Sequence, residues 1–169
     1  IIGIFASKNS SSETTPTQIG TSVEAASWLS GDHHIHSRFS VGWNMESGVP
    51  QPIIGGDAIY PTAMNALMAR YHNLSWMVTT DHGGPKHSKV NLDLAYPELV
   101  RSRRVVPELL QFYGLELNTP GGDHSSIIIP HTTAEADHLL NLESQFDSRE
   151  IYPADEARNH SQQMLLALK

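Results

Sequence analysis

The stretch LSWMVTTDHGGP, residues 74–85, runs a short apolar, β-branched segment directly into an acid, a histidine and a Gly-Gly-Pro turn. Residues 74–80 are mostly apolar at consecutive positions, not alternate ones, which is the pattern of a strand buried on both faces, as in a parallel sheet. Upstream, AIYPTAMNALMARYH (58–72) places Ile59, Met64, Leu67, Met68 and Tyr71 at helical spacing, with Asp57 as N-cap and Pro61 in the opening turn. That stripe predicts the core-facing side of a helix. Downstream, LAYPELVRSRRVVPELLQ (94–111) predicts a second helix, interrupted before Pro107 because the residue ahead of a proline resists helical ψ. FYGLELN (112–118) and HSSIIIPH (124–131) predict two more strands. TAEADHLLNLESQF (133–146) predicts a third helix beginning near Thr132 or Thr133, and ADEARNHSQQMLLALK (154–169) a fourth. A first strand is expected at about 27–36, with Trp28 and Leu29 as its apolar start, and residues 37–56, rich in Gly, Pro and Ser, read as a long loop. Strands alternating with helices argue for a parallel α/β arrangement, open or barrel-like.

The first strand carries the densest chemistry. GDHHIHS (31–37) sets an acid and three histidines within five positions. On a regular strand Asp32, His34 and His36 share one face while His33 and Ile35 take the other. Imidazoles and a carboxylate converging on a rigid element suit a divalent transition metal.

Composition narrows the partners. The 169 residues are 39% hydrophobic, enough for one ordinary domain core. A net charge of −7, with no long basic run, argues against a nucleic-acid backbone as ligand. The absence of cysteine excludes disulfides and thiolate ligands, so any metal falls to His, Asp and Glu. Residues 1–24 read as a leader and linker: five mostly apolar residues, too short to span a membrane, precede a Ser/Thr-rich tether. Such a start fits the tail of an export segment, and residues 25–169 read as the folded domain.

In α/β sheets ligands gather at the carboxyl ends of strands. Asp32, His34 and His36 end the first strand, Asp81 and His82 end the second, Glu116 lies in the third, and the fourth is entered at His124 and left at His131. Each has an ordinary reading as well. Asp81 suits the start of a Gly-Gly turn, His124 a surface turn and His131 a helix start. Glu116, inside GLEL, would be expensive to bury without a cation or donors. His33, His72, His87, His138 and His160 lack such convergence and read as structural or exposed.

The ordered set DHHIHS, TTDHG, GLEL and DHSSIII resembles the first motifs of the PHP family, the polymerase and histidinol phosphatase metal-dependent phosphoesterases, across residues 27–131. The resemblance implies a distorted (β/α)7 barrel, only partly represented in this chain, binding two or three divalent ions (zinc, manganese or iron). It implies hydrolysis of small phosphorylated substrates by a metal-bound hydroxide. Carried over by position, His34, His36, His82 and His124 would be imidazole ligands, Glu116 a bridging carboxylate, and Asp81 a ligand or an outer partner of one. Asp81 and Arg38 are the candidate catalytic groups, and Arg38 and Lys86 the candidate clamps for phosphoryl oxygens. Val41 stands where the family often has an aspartate, and the family's later His-Pro and Asp-x-His motifs are not in the sequence. Two alternatives stay open: an amidohydrolase-type metal enzyme, and a non-catalytic metal-binding or interaction module.

Overall fold

The computed structural model describes residues 27–150 and 161–168. Four strands, β1 (Gly31–Ile35), β4 (Trp76–Thr79), β5 (Leu110–Asn118) and β6 (His124–Ile129), form one sheet in the order β1-β4-β5-β6. β1, β4 and β5 run parallel, as the alternation of strands and helices predicts, and of the three β4 sits where the apolar run of residues 74–80 places a buried strand. β6 runs antiparallel to β5, which corrects the expectation of an all-parallel sheet. The cause is the linker: only residues 119–123, TPGGD, separate Asn118 from His124. A parallel return needs a crossover of a dozen or more residues, so this linker can only close a hairpin. Gly121 takes a left-handed φ of 72° within it.

The sheet curls into half a barrel. β1 and β6 are its two edges, which a flat sheet would hold about 14 Å apart, yet His34 Nδ1 on β1 lies 2.6 Å from Ser126 Oγ on β6. The helices α1 (Thr62–Tyr71), α3 (Tyr96–Val105) and α4 (Glu135–Phe146) pack outside the curl. Ala66, Ala69, Met77, Val106 and Leu109 form one core cluster. Leu99, Tyr113, Leu115, Leu117, Leu139 and Met164 dominate the other, with Met164 supplied by α5 (Ser161–Ala167). α3 continues α2 (His87–Val90) through a π-turn at Asn91–Ala95, and it ends at Val105, two residues before Pro107 as expected. Among the described residues, no helix is long and apolar enough to cross a membrane.

Three local expectations give way. α1 buries Thr62, Ala66 and Ala69, while Met64, Leu67, Met68 and Tyr71 of the predicted core stripe are exposed. Periodicity identifies two opposite faces and cannot say which is inward; here the small residues let the helix lie close to the sheet. Pro61 precedes the helix in extended conformation, so Asp57 is not its cap. The loop 37–56 contains a hairpin of β2 (Gly42–Asn44) and β3 (Gln51–Ile53). The first strand is confined to Gly31–Ile35, and Trp28 and Leu29 lie exposed beside Trp76, Val78, Leu110, Phe112 and Ile128 on the concave face. The proposed leader lies outside the described residues, as do 151–160 with His160.

Candidate metal centre

β1 aims its histidines by means of an extra residue. Asp32 pairs with Met77 and Ile35 with Thr79, three steps on β1 against two on β4. This bulge leaves Asp32 and Ile35 facing the helices and turns His34 and His36 to the concave side. The expectation that Asp32 shares their face therefore fails. Its Oδ1 instead accepts from the His34 backbone N–H at 3.0 Å.

At the rim, six side chains meet: His34, His36, Asp57, His82, Glu116 and His124. His34 Nε2 and His36 Nε2 are 3.0 Å apart, and they lie 3.3 and 2.8 Å from the same oxygen, Glu116 Oε2. His124 Nδ1 donates to Glu116 Oε1. Because β6 is antiparallel, its first residue sits opposite Asn118 at the end of β5, which brings His124 to the rim and sends His131 to the other end of the sheet. The His82 ring stands between those of His36 and His124, with centroids at 5.1 and 5.8 Å. His82 Nε2 is 3.3 Å from Asp57 Oδ2.

Two groups of three can each hold a cation: His34, His36 and Glu116, and His36, Asp57 and His82. The first is the better defined. A carboxylate accepts only, so His36 Nδ1 donates to Asp57. Neutral His36 then presents a bare lone pair at Nε2, facing a carboxylate oxygen and a second imidazole nitrogen. The His36 and Glu116 lone pairs at this distance are repulsive unless a proton, which His34 Nε2 can carry in one of its tautomers, or a metal ion lies among them. The donor set of nitrogen and oxygen atoms, with an acid orienting the far nitrogen of His36, fits zinc, manganese or iron.

The charges follow the same geometry. Partial burial raises the Glu116 carboxyl, but His82, His124 and His34 outweigh it and hold the acid below its ordinary range. Asp57 behaves alike: burial raises it, and His36, Ser40 and His82 bring it lower. Burial pushes the His82 imidazole down, so the neutral form that ligates metal is favoured.

Two of the expected residues are not brought into this cluster. Asp81 is fully buried and accepts from the Ser37 backbone N–H at 2.5 Å and from Ser37 Oγ at 2.6 Å. Burial raises its carboxyl. With both oxygens engaged, it anchors the residue after His36 and positions that histidine. Arg38 pairs with Glu98 on α3 and lies over the Phe39 ring, drawn from the rim by a carboxylate that the sequence separates from it by 60 positions. Conversely, Asp57, which its spacing reads as a helix cap, joins the rim as a site residue: it is an acid that follows Gly55-Gly56 at the end of a long loop. It supplies a carboxylate to a rim where Val41 is buried and carries none. Ser40 also belongs here: its Oγ donates to Asp57 at 2.9 Å and accepts from the His82 backbone N–H at 3.2 Å.

A second histidine–carboxylate cluster lies deeper. His87 Nδ1 donates to Glu143 Oε1 at 2.7 Å and Nε2 to the Phe39 carbonyl at 3.0 Å. Burial alone would lower its proton affinity, but Glu143 and the Phe39 carbonyl raise its pKa to about 9. Acceptors on both nitrogens make it an imidazolium. Its ring rests on Gly83, where a Cβ would meet it at 2.2 Å. The structural reading of His87 holds, and His33, His72 and His138 are exposed.

Set against known proteins, the chain matches no family model, no curated protein and no solved structure.

Proposed function

We propose that this chain carries a divalent-metal centre at the rim of its half-barrel and hydrolyses phosphate esters there, on a fold of the PHP (β/α)7 type. The observation that carries the metal reading is the meeting of His34 Nε2, His36 Nε2 and Glu116 Oε2 within 3.3 Å of one another. The substrate class rests on the order of the four motifs in the sequence. Within this reading His34, His36 and Glu116 hold one ion, while His82 and Asp57 stand ready for a second beside His36 and His124 supports Glu116. Ser126 and Asp57 fix the two imidazoles through their Nδ1 atoms, Ser40 holds Asp57, and Asp81 holds the end of β1. Bound there, zinc, manganese or iron supplies Lewis acidity and activates water at neutral pH. The ligands are partly open to solvent, with the His34 side chain 36% exposed, which leaves an ester room to approach.

The test is elemental mass spectrometry on tag-free protein, wild type against a His34→Ala, His36→Ala double variant, followed by turnover of aryl phosphate mono- and diesters. Stoichiometric metal that the double variant loses supports the centre. Metal far below stoichiometric, unrestored by added zinc, overturns it. Bound metal without turnover leaves a metal-binding module that is not an enzyme.

A further inference from the structure

Beside the rim lies a cleft of about 510 Å³, walled by Trp43, Val49, Pro50, Pro52, Pro85 and Lys86. It is built from the β2–β3 hairpin on one side and the turn after His82 on the other. Both sides are tied to the metal centre. Val41 N donates to the His82 carbonyl at 3.1 Å, and Trp43, two residues on, lays its indole against Gly84, two residues past His82. An alanine Cβ at Gly84 would approach Trp43 Nε1 to 2.7 Å, so the glycine is what lets the ring lie there. The indole N–H has no partner among the described residues, so packing alone sets the ring's position.

The opposite wall is held by hydrogen bonds. Lys86 holds a left-handed φ of 64°, a conformation that is unfavourable for a residue with a Cβ and persists only where neighbours enforce it. Here its N–H donates to the Glu150 carbonyl at 2.7 Å, and the Glu150 carboxylate accepts from Ser88. Its side chain is exposed. Arg38 and Arg103 are each paired with an acid, whereas the Lys86 ammonium has no carboxylate partner among the described residues.

We infer that this cleft is the subsite for the organic group of the substrate, and that it selects anionic esters carrying a flat, apolar group, of the aryl phosphate kind. Three prolines and an indole offer flat apolar walls with little side-chain freedom to lose on binding. Lys86 pairs with the anion as it spans the cleft and the rim. The volume, in the ordinary range of small-molecule pockets, admits a ring with its substituents and leaves room beside it. This inference rests on the proposed function for its anion, and the cleft's preference for a ring can be measured apart from catalysis.

The experiment is calorimetric titration of zinc-loaded protein with phenylphosphonate and methylphosphonate, which keep the anion and resist hydrolysis, with metal content measured on each preparation. Wild type should bind the phenyl compound about tenfold more tightly, the worth of burying and stacking one ring. Trp43→Ala should bring the ratio to near one. Trp43→Phe, which keeps a flat ring, should retain most of it and shows that any loss is not a folding failure. Lys86→Ala should weaken both ligands alike. Equal affinities in wild type, an unchanged ratio in Trp43→Ala, or no binding by zinc-loaded protein each overturns the subsite. A preserved phenyl preference in protein that holds no metal supports the subsite and rejects the metal centre instead.

Discussion

His36 with Glu116 and His87 with Glu143 are the same pair of residue types in two settings. The His87 ion pair is closed: each ring nitrogen has one acceptor, Asn91 Nδ2 donates to the second Glu143 oxygen at 2.8 Å, and both side chains of the pair are buried, although Asn91 Oδ1 beside it has no partner among the described residues. The rim cluster is open and crowds two imidazole nitrogens against one carboxylate oxygen, with its histidines at 22 to 36% side-chain exposure. A histidine–carboxylate contact therefore says little by itself. Whether the imidazole and the carboxylate themselves are already matched separates a structural brace from a site open to a ligand.

The sharpest contrast is in stability. His87→Ala leaves the Glu143 carboxylate buried without its cation, which should destabilise the fold by about 3–5 kcal/mol. His36→Ala opens the rim to water and should change stability by under about 1 kcal/mol. Urea unfolding of the two variants decides it, and similar losses would show that both clusters are braces.

The pH dependences should run in opposite directions. His87 is raised to about 9 in the folded chain, above an ordinary imidazole. Its stabilisation is present in full below the unfolded value, near 6.5, and is lost as pH rises through about 9; the size is roughly 3 kcal/mol. The unfolding free energy measured from pH 6 to 10 should fall over that window in wild type and stay flatter in His87→Gln. The rim must shed protons to ligate, so zinc affinity should weaken as pH drops below the ordinary histidine range. Added zinc sharpens the comparison further. At about a hundredfold excess over its dissociation constant it should stabilise wild type by about 2.7 kcal/mol. Glu116→Gln should abolish the gain, and a thermal shift that survives in Glu116→Gln would place the zinc elsewhere.

The sequence makes the four strands of the main sheet and most of the rim residues legible, because strand ends carry the ionisable residues and an apolar run marks the buried β4. His34, His36, His82, Glu116 and His124 converge as their motif order implies. What stays illegible depends on contacts distant in sequence. The bulge that sends Asp32 to the other face is a register relation between β1 and β4. The direction of β6 is readable from its linker, since five residues can only make a hairpin, whereas strand–helix alternation by itself points to a parallel strand. Arg38 turns away because Glu98 waits on a helix 60 positions later, and Asp81 turns inward because Ser37 offers it two donors. The outward stripe of α1 could not be recognised from spacing alone, since Thr62, Ala66 and Ala69 repeat at the same period.

Asp57 gives the smallest effect and the most discriminating one. As a helix cap it would tolerate Asn, which caps as well as Asp, so Asp57→Asn would be silent. In the structure it instead accepts from His36 Nδ1 and from Ser40 Oγ. An amide there lacks the charge that fixes the imidazole with its Nε2 lone pair toward Glu116. Loss of such an outer partner weakens metal binding by about tenfold to a hundredfold. Asp57→Asn should therefore unfold at the wild-type urea concentration in the absence of metal and bind zinc at least about tenfold more weakly. A variant with wild-type zinc affinity would return Asp57 to a loop residue and leave His36 oriented by Ser40, whose Oγ lies 3.1 Å from His36 Nδ1. A variant less stable without metal would show that the carboxylate braces the loop, and the open cluster would then share part of the closed one's character.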